Sequence, residues 1–220
     1  MMKEKLKDEY TTILGHSIHE IEIKKSRFIA NIKRCNNEEE SLAFIEEINK
    51  MHREATHNCT AYINGPRQMI QRYNDDGEPQ GTAGIPMLEV LKKEGLTDIA
   101  VVVTRYFGGK KLGASGLIRA YGGAVSEVLQ LAEIVDLKNY YKVKFIFDYT
   151  FLGKIDNYIS ENNFYLKNRD YLEKVENTMY ISVREYEKFK NDLLDMTSAN
   201  MEIDIEDTIL LQVRKGEIIE

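Results

Sequence analysis

Long apolar runs are missing from this sequence. No stretch approaches the roughly 20 consecutive apolar residues that a transmembrane helix needs. The N-terminal stretch MMKEKLKDEY is charged and lacks the apolar core of a signal peptide. These absences predict a cytoplasmic protein with no membrane partner.

Cysteine and basic charge are also scarce. Cys35 and Cys59 are the two cysteines, which excludes a disulfide-rich scaffold and predicts free, buried thiols. The formal net charge is -6; residues 1–136 hold 18 basic and 20 acidic side chains, and residues 137–220 hold 12 and 16. A surface coated in basic charge is therefore excluded, and any anion site must be local.

Glycine and proline are rare in the C-terminal part. All 3 prolines and 11 of the 14 glycines lie between Gly65 and Gly123. Such a shift in composition indicates two domains of different construction. We predict one domain over residues 1–136 and a second over residues 137–220.

The first domain shows alternating and helical apolar patterns in turn. Alternation over 18–34 predicts a strand, or a bent pair interrupted at Lys24-Lys25-Ser26. Asn36 or Asn37 can cap a helix whose first turn holds three glutamates. The remaining predicted elements are a hairpin around Gly65-Pro66, a helix over 86–93, a buried central strand over 98–103 and a helix over 114–132.

The second domain has a clearer pattern. Strands are predicted over 140–149, 165–172, 175–184 and 203–213, with helices over 151–162 and 186–199. This βαββαβ order is that of a ferredoxin-like sandwich. The predicted fold class is therefore α+β, with two α/β sandwich domains.

The stretch from Ile99 to Gly123 carries the strongest functional signal. It contains no acidic residue but holds Arg105, Lys110, Lys111 and Arg119, beside several glycines. Ser115 is a candidate cap for the helix that follows, whose first N–H groups would then face a bound anion. The spacings of the Walker loop and of the dinucleotide fingerprint are missing. Two interpretations stay open. Either these four basic side chains contact an anion such as nucleic acid, or the segment is a tight connection between strand and helix whose lysines are merely solvated.

A second loop, residues 75–84, holds Asp75, Asp76, Glu78 and Thr82. Carboxylates suit Mg²⁺ or a cationic partner, but the spacing differs from that of an EF-hand. The simpler interpretation is an ordered loop whose acids cap turns or pair with nearby arginines. We predict no metal at this loop.

Other candidate chemistry is weak. His57 and Cys59 would share one side of a strand, but the further ligands of a zinc site are missing, and structural roles are expected for both. We predict no catalytic residue and no cofactor. The tyrosines of the second domain could stack on RNA bases, although core packing or a protein interface fits their alternation better.

Several motifs together resemble one known family. They are H-x-C-x-A-Y from His57, D-G-E-P-x-G-T-A-G from Asp76, V-T-R-Y-F-G-G from Val103, K-L-G from Lys111 and G-L-I-R-A-Y from Gly116. These motifs resemble the IMPACT family. The resemblance implies that the stretch from Ile99 to Gly123 and the loop over residues 75–84 form one surface. Two positions depart from the family's pattern, since Lys110 replaces a usually aliphatic residue and Ser115 a common glycine.

The resemblance implies a first domain like the second domain of ribosomal protein S-five, and a second like domain five of elongation factor G. Eukaryotic relatives regulate translation by competing for a regulator of an amino-acid-starvation kinase. We therefore expect a non-enzymatic, translation-associated factor that binds RNA, the ribosome or a translation-associated protein, with no DNA sequence specificity. Two alternatives remain: an enzyme acting on a phosphorylated small molecule or nucleotide, and a pure protein-binding module.

Overall fold

The computed structural model describes residues 6–219. The chain divides into two compact units after Asp136. The first unit is Tyr10–Asp136, and the second combines residues 137–219 with residues 6–9. The N–H of Lys7 donates to Asn139 Oδ1 at 3.1 Å, and Asn139 Nδ2 donates to the Lys7 carbonyl at 2.7 Å. These bonds tie residues 6–9 to the second unit, whereas the predicted first domain of 1–136 had included them.

The elements of the first unit are, in chain order, β1 (Tyr10–Ile13), β2 (His16–Ile23), β3 (Ser26–Arg34), α1 (Glu38–Met51), β4 (His57–Asn64), β5 (Ile70–Asn74), α2 (Gly84–Lys93), β6 (Ile99–Tyr106) and α3 (Ala114–Leu131). Five of the strands form a sheet with the order β2-β3-β6-β4-β5, antiparallel throughout. The central β6 has the nearly unbroken apolar run that predicted a buried strand.

Helices cover both faces of this sheet. Val101 and Val103 of β6 belong to the cluster that holds α2 and α3, whereas Val102 packs with Phe44 and Ile48 of α1. Successive residues of a strand point to opposite faces. Because both faces are buried, the strand is apolar throughout rather than alternating.

Local sequence signals account for some of the element ends. Asn37 caps α1, with its Oδ1 accepting from the N–H of Glu40 at 2.9 Å. The interruption at Lys24-Lys25 is a hairpin turn, so the bent-pair interpretation is confirmed. Helix α2 begins at Gly84, two residues before the predicted Pro86.

The second unit has the predicted βαββαβ order. Its elements are β7 (Ile134–Phe147), α4 (Leu152–Glu161), β8 (Tyr165–Tyr171), β9 (Val175–Ser182), α5 (Tyr186–Thr197), β10 (Met201–Arg214) and β11 (Glu217–Ile219). The strands lie in the order β11-β10-β7-β9-β8, which is a ferredoxin-like arrangement with one extra edge strand, β11. Tyr141 and Tyr186 meet edge to face at 5.1 Å beside the core.

Within residues 6–219, no helix has both the length and the apolar character to cross a membrane.

Candidate nucleic-acid interface

The candidate interface lies at the end of the first unit's sheet where β6 ends and α3 begins. The loop between them packs against the two-residue turn that joins β2 to β3. A Cβ built on Gly108 would lie 2.0 Å from the carbonyl carbon and oxygen of Lys25, so only glycine permits this contact. The N–H of Gly108 also donates to Ser26 Oγ at 3.1 Å. The turn and the loop therefore form one surface.

Arg105 was predicted to be a contact cation, and the structure corrects this. The residue is only 5% exposed. Its Nη1 donates to Glu78 Oε1 at 2.6 Å, and its guanidinium lies 5.4 Å from the ring centre of Phe28. A cation enclosed in this way cannot reach a phosphate in solvent. Arg105 instead fixes the base of the loop, because strand β6 continues past the predicted end at Val103 and turns Arg105 inward.

Glu78 is the shared partner within this buried cluster. Its Oε1 also accepts a hydrogen bond from the Tyr121 hydroxyl at 2.8 Å, and its Oε2 lies 3.9 Å from His57 Nε2. Burial is the largest cause that raises the pKa of Tyr121, and the neighbouring Cys59 and Glu78 raise it further. The Tyr121 hydroxyl therefore keeps its proton and donates. Glu78 is thus an internal acceptor rather than part of an exposed loop.

Cys59 belongs to the same cluster and is fully buried. Its thiol donates to the Asp75 carbonyl at 3.0 Å, and burial raises its pKa to about 12. A thiol with so high a pKa holds little thiolate at neutral pH and is a poor nucleophile. The expected structural role of Cys59 agrees with this geometry.

Asp75 caps α2 although it is not next to the helix in the sequence. Its Oδ1 accepts from the N–H groups of Ala83 and Gly84 at 3.1 and 2.8 Å, and its Oδ2 accepts from Gly81 N–H at 2.8 Å. The first N–H groups of a helix have no partner within the helix and favour an anion nearby. The carboxylate of Asp75 fills that role itself.

The rest of the acidic loop is also ordered by internal bonds. Asp76 Oδ2 accepts from Asn58 N–H at 2.6 Å. Thr82 is buried, and its hydroxyl donates to the Pro79 carbonyl at 2.6 Å. Of the four predicted loop residues, Asp76 alone is exposed. Among residues 6–219, no group of three or more His, Cys, Asp and Glu side chains is placed to hold a metal ion.

Ser115 was predicted to cap α3, and this is wrong. The helix begins at Ala114, and Gly113 occupies the capping position with a φ of 75°. Ser115 is therefore the second residue of the helix, where it is exposed. The positive φ makes glycine the favoured residue at the cap, so the chain turns into the helix two residues earlier than the Ser115 signal indicated.

The structure brings to this place further residues that no sequence motif indicates. Lys110, Lys111 and Arg119 are exposed, as predicted, and so are Lys24 and Lys25 of the β2–β3 turn. Phe107 is a large apolar side chain that remains 47% exposed. A turn signal at Lys24-Lys25 was visible, but its proximity to Gly108 was not. We call the following set the basic surface: Lys24, Lys25, Phe107, Lys110, Lys111 and Arg119.

Comparisons with known proteins identify both parts of the chain. The family model of the Impact N-terminal domain matches residues 24–129, and that of a domain of unknown function, DUF1949, matches residues 145–200. The chain is 49% identical to the IMPACT family member YvyE of Bacillus subtilis, over 88% of this chain and 89% of that protein. It is 34% identical to an IMPACT family member of Haemophilus influenzae, over 90% and 97% of the two chains.

Solved structures resemble the chain as well. A crystal structure described as that of a hypothetical protein is 31% identical, covers 92% of this chain and 99% of its own, and has a TM-score of 0.57. The two-domain translational regulator Yih1 is 23% identical and covers 54% of this chain and 48% of its own. Its TM-score of 0.39 is too low for that likeness to support an argument about function.

Proposed function

The chain belongs to the IMPACT family, and we propose that it is a non-enzymatic, cytoplasmic, translation-associated regulator that binds RNA through the basic surface. The RNA is either free or part of the ribosome. Family membership supports the association with translation. The location of charge in the first unit supports RNA as the ligand.

The observation that carries this proposal is the exposure of Lys110, Lys111 and Arg119 on a segment without acids. Between Ile99 and Ser126 the sequence contains no Asp or Glu. The Gly108 contact fixes the loop, and the first N–H groups of α3 lie beyond Gly113. Lysine and arginine side chains bind phosphates without reading sequence, which suits RNA of many sequences.

The arrangement of the carboxylates favours binding over catalysis. An enzyme acting on a phosphorylated small molecule or nucleotide would need Asp76 or Glu78 as base or Mg²⁺ ligand. The Glu78 side chain is 3% exposed and bonded to Arg105, and Asp76 accepts from Asn58. Both acids therefore have structural partners.

Co-sedimentation with ribosomes, and anisotropy with labelled RNA, test the proposal at roughly 50 and 200 mM salt. Binding should weaken steeply at the higher salt. The variant Lys110→Ala/Lys111→Ala should bind more weakly and show a salt slope smaller by about two, because two phosphate contacts are lost.

Lys92→Ala/Lys93→Ala is the control, since it removes the same formal charge from the last turn of α2, outside the basic surface. This control should bind RNA like the unmodified chain. Equal RNA binding by the Lys110→Ala/Lys111→Ala variant would overturn the assignment of the surface. A protein partner captured without any salt-dependent RNA binding would support the protein-binding alternative instead.

A further inference from the structure

The basic surface combines charge with an exposed aromatic ring, and we infer that its ligand is single-stranded RNA. One unpaired base stacks on Phe107, and the flanking phosphates bind two lysine pairs, Lys24-Lys25 and Lys110-Lys111. This inference rests on the proposed function and specifies the form of RNA that the surface accepts.

Phe107 is held in position although it is exposed. Its backbone N–H donates to Thr56 Oγ1 at 3.0 Å, and the guanidinium of buried Arg105 lies 5.5 Å from its ring centre. Nearly half of the side chain nevertheless faces solvent. A ring that is already oriented loses little freedom when a base stacks on it, and such stacking strengthens binding by roughly tenfold to a hundredfold per base.

The lysine pair of the turn stands in an unfavourable backbone conformation. Ile23 pairs with Ser26, which leaves Lys24 and Lys25 as the two turn residues, with φ angles of 49° and 67°. Two-residue turns with positive φ at both positions favour Asn-Gly. Lysine in both positions lowers the stability of the turn. Both residues are exposed, so burial of their side chains does not compensate for this cost. Lysine side chains at positions where the backbone is strained indicate a role in binding.

The turn and the loop bring the backbone of both lysine pairs close to that of Phe107. The backbone of Lys25 contacts Gly108, which directly follows Phe107 and comes two residues before Lys110. Exposed lysines near an exposed aromatic ring are typical of single-strand binders, in which the lysines follow the nucleic-acid backbone and the ring stacks a base. A duplex would offer its phosphates to the same lysines, but its bases are stacked on one another and cannot reach Phe107.

Fluorescence anisotropy with a single-stranded RNA of about ten nucleotides, and with the corresponding duplex, tests the inference. The unmodified chain should prefer the single strand. Phe107→Leu should lower single-strand affinity about tenfold at unchanged salt slope and leave duplex affinity unchanged, because only stacking is lost. Phe107→Tyr keeps the ring and should restore binding.

Lys24→Asn/Lys25→Gly provides a second test that separates binding from folding. Asn-Gly fits the turn, so the variant should unfold at a higher temperature than the unmodified chain. Its single-strand affinity should nevertheless fall, and its salt slope should decrease by about two. A gain in stability together with a loss of binding is an outcome that a purely structural turn would not give.

Three results would overturn the inference: equal affinity for single strand and duplex, Phe107→Leu binding the single strand like the unmodified chain, or Lys24→Asn/Lys25→Gly binding it with full affinity. In each of these cases the proposed function would still be supported if RNA binding depended on Lys110 and Lys111. Absence of binding to both the single strand and the duplex, together with absence of co-sedimentation with ribosomes, would refute the proposed function as well as this inference.

Discussion

Arg105 and Glu78 form an ion pair inside the first unit, with Nη1 and Oε1 2.6 Å apart and side chains 6% and 3% exposed. The pair joins the end of β6 to the acidic loop. Removing one member of a buried pair leaves the other charge without compensation in a poorly solvated place. The loops that support the basic surface therefore depend on both residues.

Glu78→Leu should lower the free energy of unfolding by about 3–5 kcal/mol, since the Arg105 charge stays buried without its partner. Urea unfolding measures this change. Glu89→Ala is the control because the Glu89 carboxylate of α2 is paired with Lys92 at the surface, where a pair contributes about 1 kcal/mol or less. Equal effects of the two variants would contradict the importance of the buried pair.

Gly108→Ala should destabilise the first unit by about 3 kcal/mol. The added Cβ would lie 2.0 Å from the backbone of Lys25, which cannot move as a flexible side chain would. Gly123→Ala, inside α3, meets nothing within 4 Å and should instead stabilise by about 0.5–1 kcal/mol, because alanine favours the helix. Thermal unfolding of both variants distinguishes them by the sign of the change. A neutral Gly108→Ala variant would show that the contact is loose.

Asp75→Ala should cost about 2 kcal/mol, because the N–H groups of Ala83 and Gly84 lose their acceptor at the start of α2. The comparison is Ser115→Ala. Ser115 looks like a cap in the sequence but lies within α3, so alanine there should leave stability unchanged or slightly higher. Urea unfolding compares the two. A larger loss for Ser115→Ala than for Asp75→Ala would reverse this assignment of caps.

Stability should fall as the pH rises above about 9. Burial raises the pKa of the Cys59 thiol from 9.0 to about 12. Between these values the unfolded chain releases the proton and the folded chain keeps it, so the unfolded state is favoured increasingly, by up to about 1.4 kcal/mol per pH unit. Below about pH 9 both states hold the proton and this contribution is constant.

Urea unfolding at several pH values from about 8 to about 11 measures this dependence. Tyr62, whose pKa burial raises from 10.0 to about 12, adds to the decline from about pH 10. Cys59→Ala should give a shallower decline above pH 9, whatever its effect on stability at neutral pH. An unchanged slope in that variant would show that the thiol does not contribute.

The functional residues were harder to predict from sequence than the fold was. The glycine-rich segment after β6 and its lysines were recognisable from charge and spacing. Pairing of arginines with the acidic loop was one of the open alternatives and is confirmed by Arg105 and Glu78, but these residues lie 27 positions apart, so local patterns did not show that the pair is buried. A count of charges cannot distinguish a buried cation from an exposed one. For Lys24 and Lys25, the sequence predicted only a break between two strands.

By itself, the sequence determined most of the secondary structure and its order, although the short strands β1 and β11 were not predicted. Apolar periodicity, the Asn37 cap and the alternation in the second unit are local signals, and the βαββαβ order follows from them. Only the tertiary structure decided which charged residues face solvent. Arg105 became internal and Lys25 came to lie against Gly108, because burial and proximity result from packing between segments far apart in the chain, to which local patterns are insensitive.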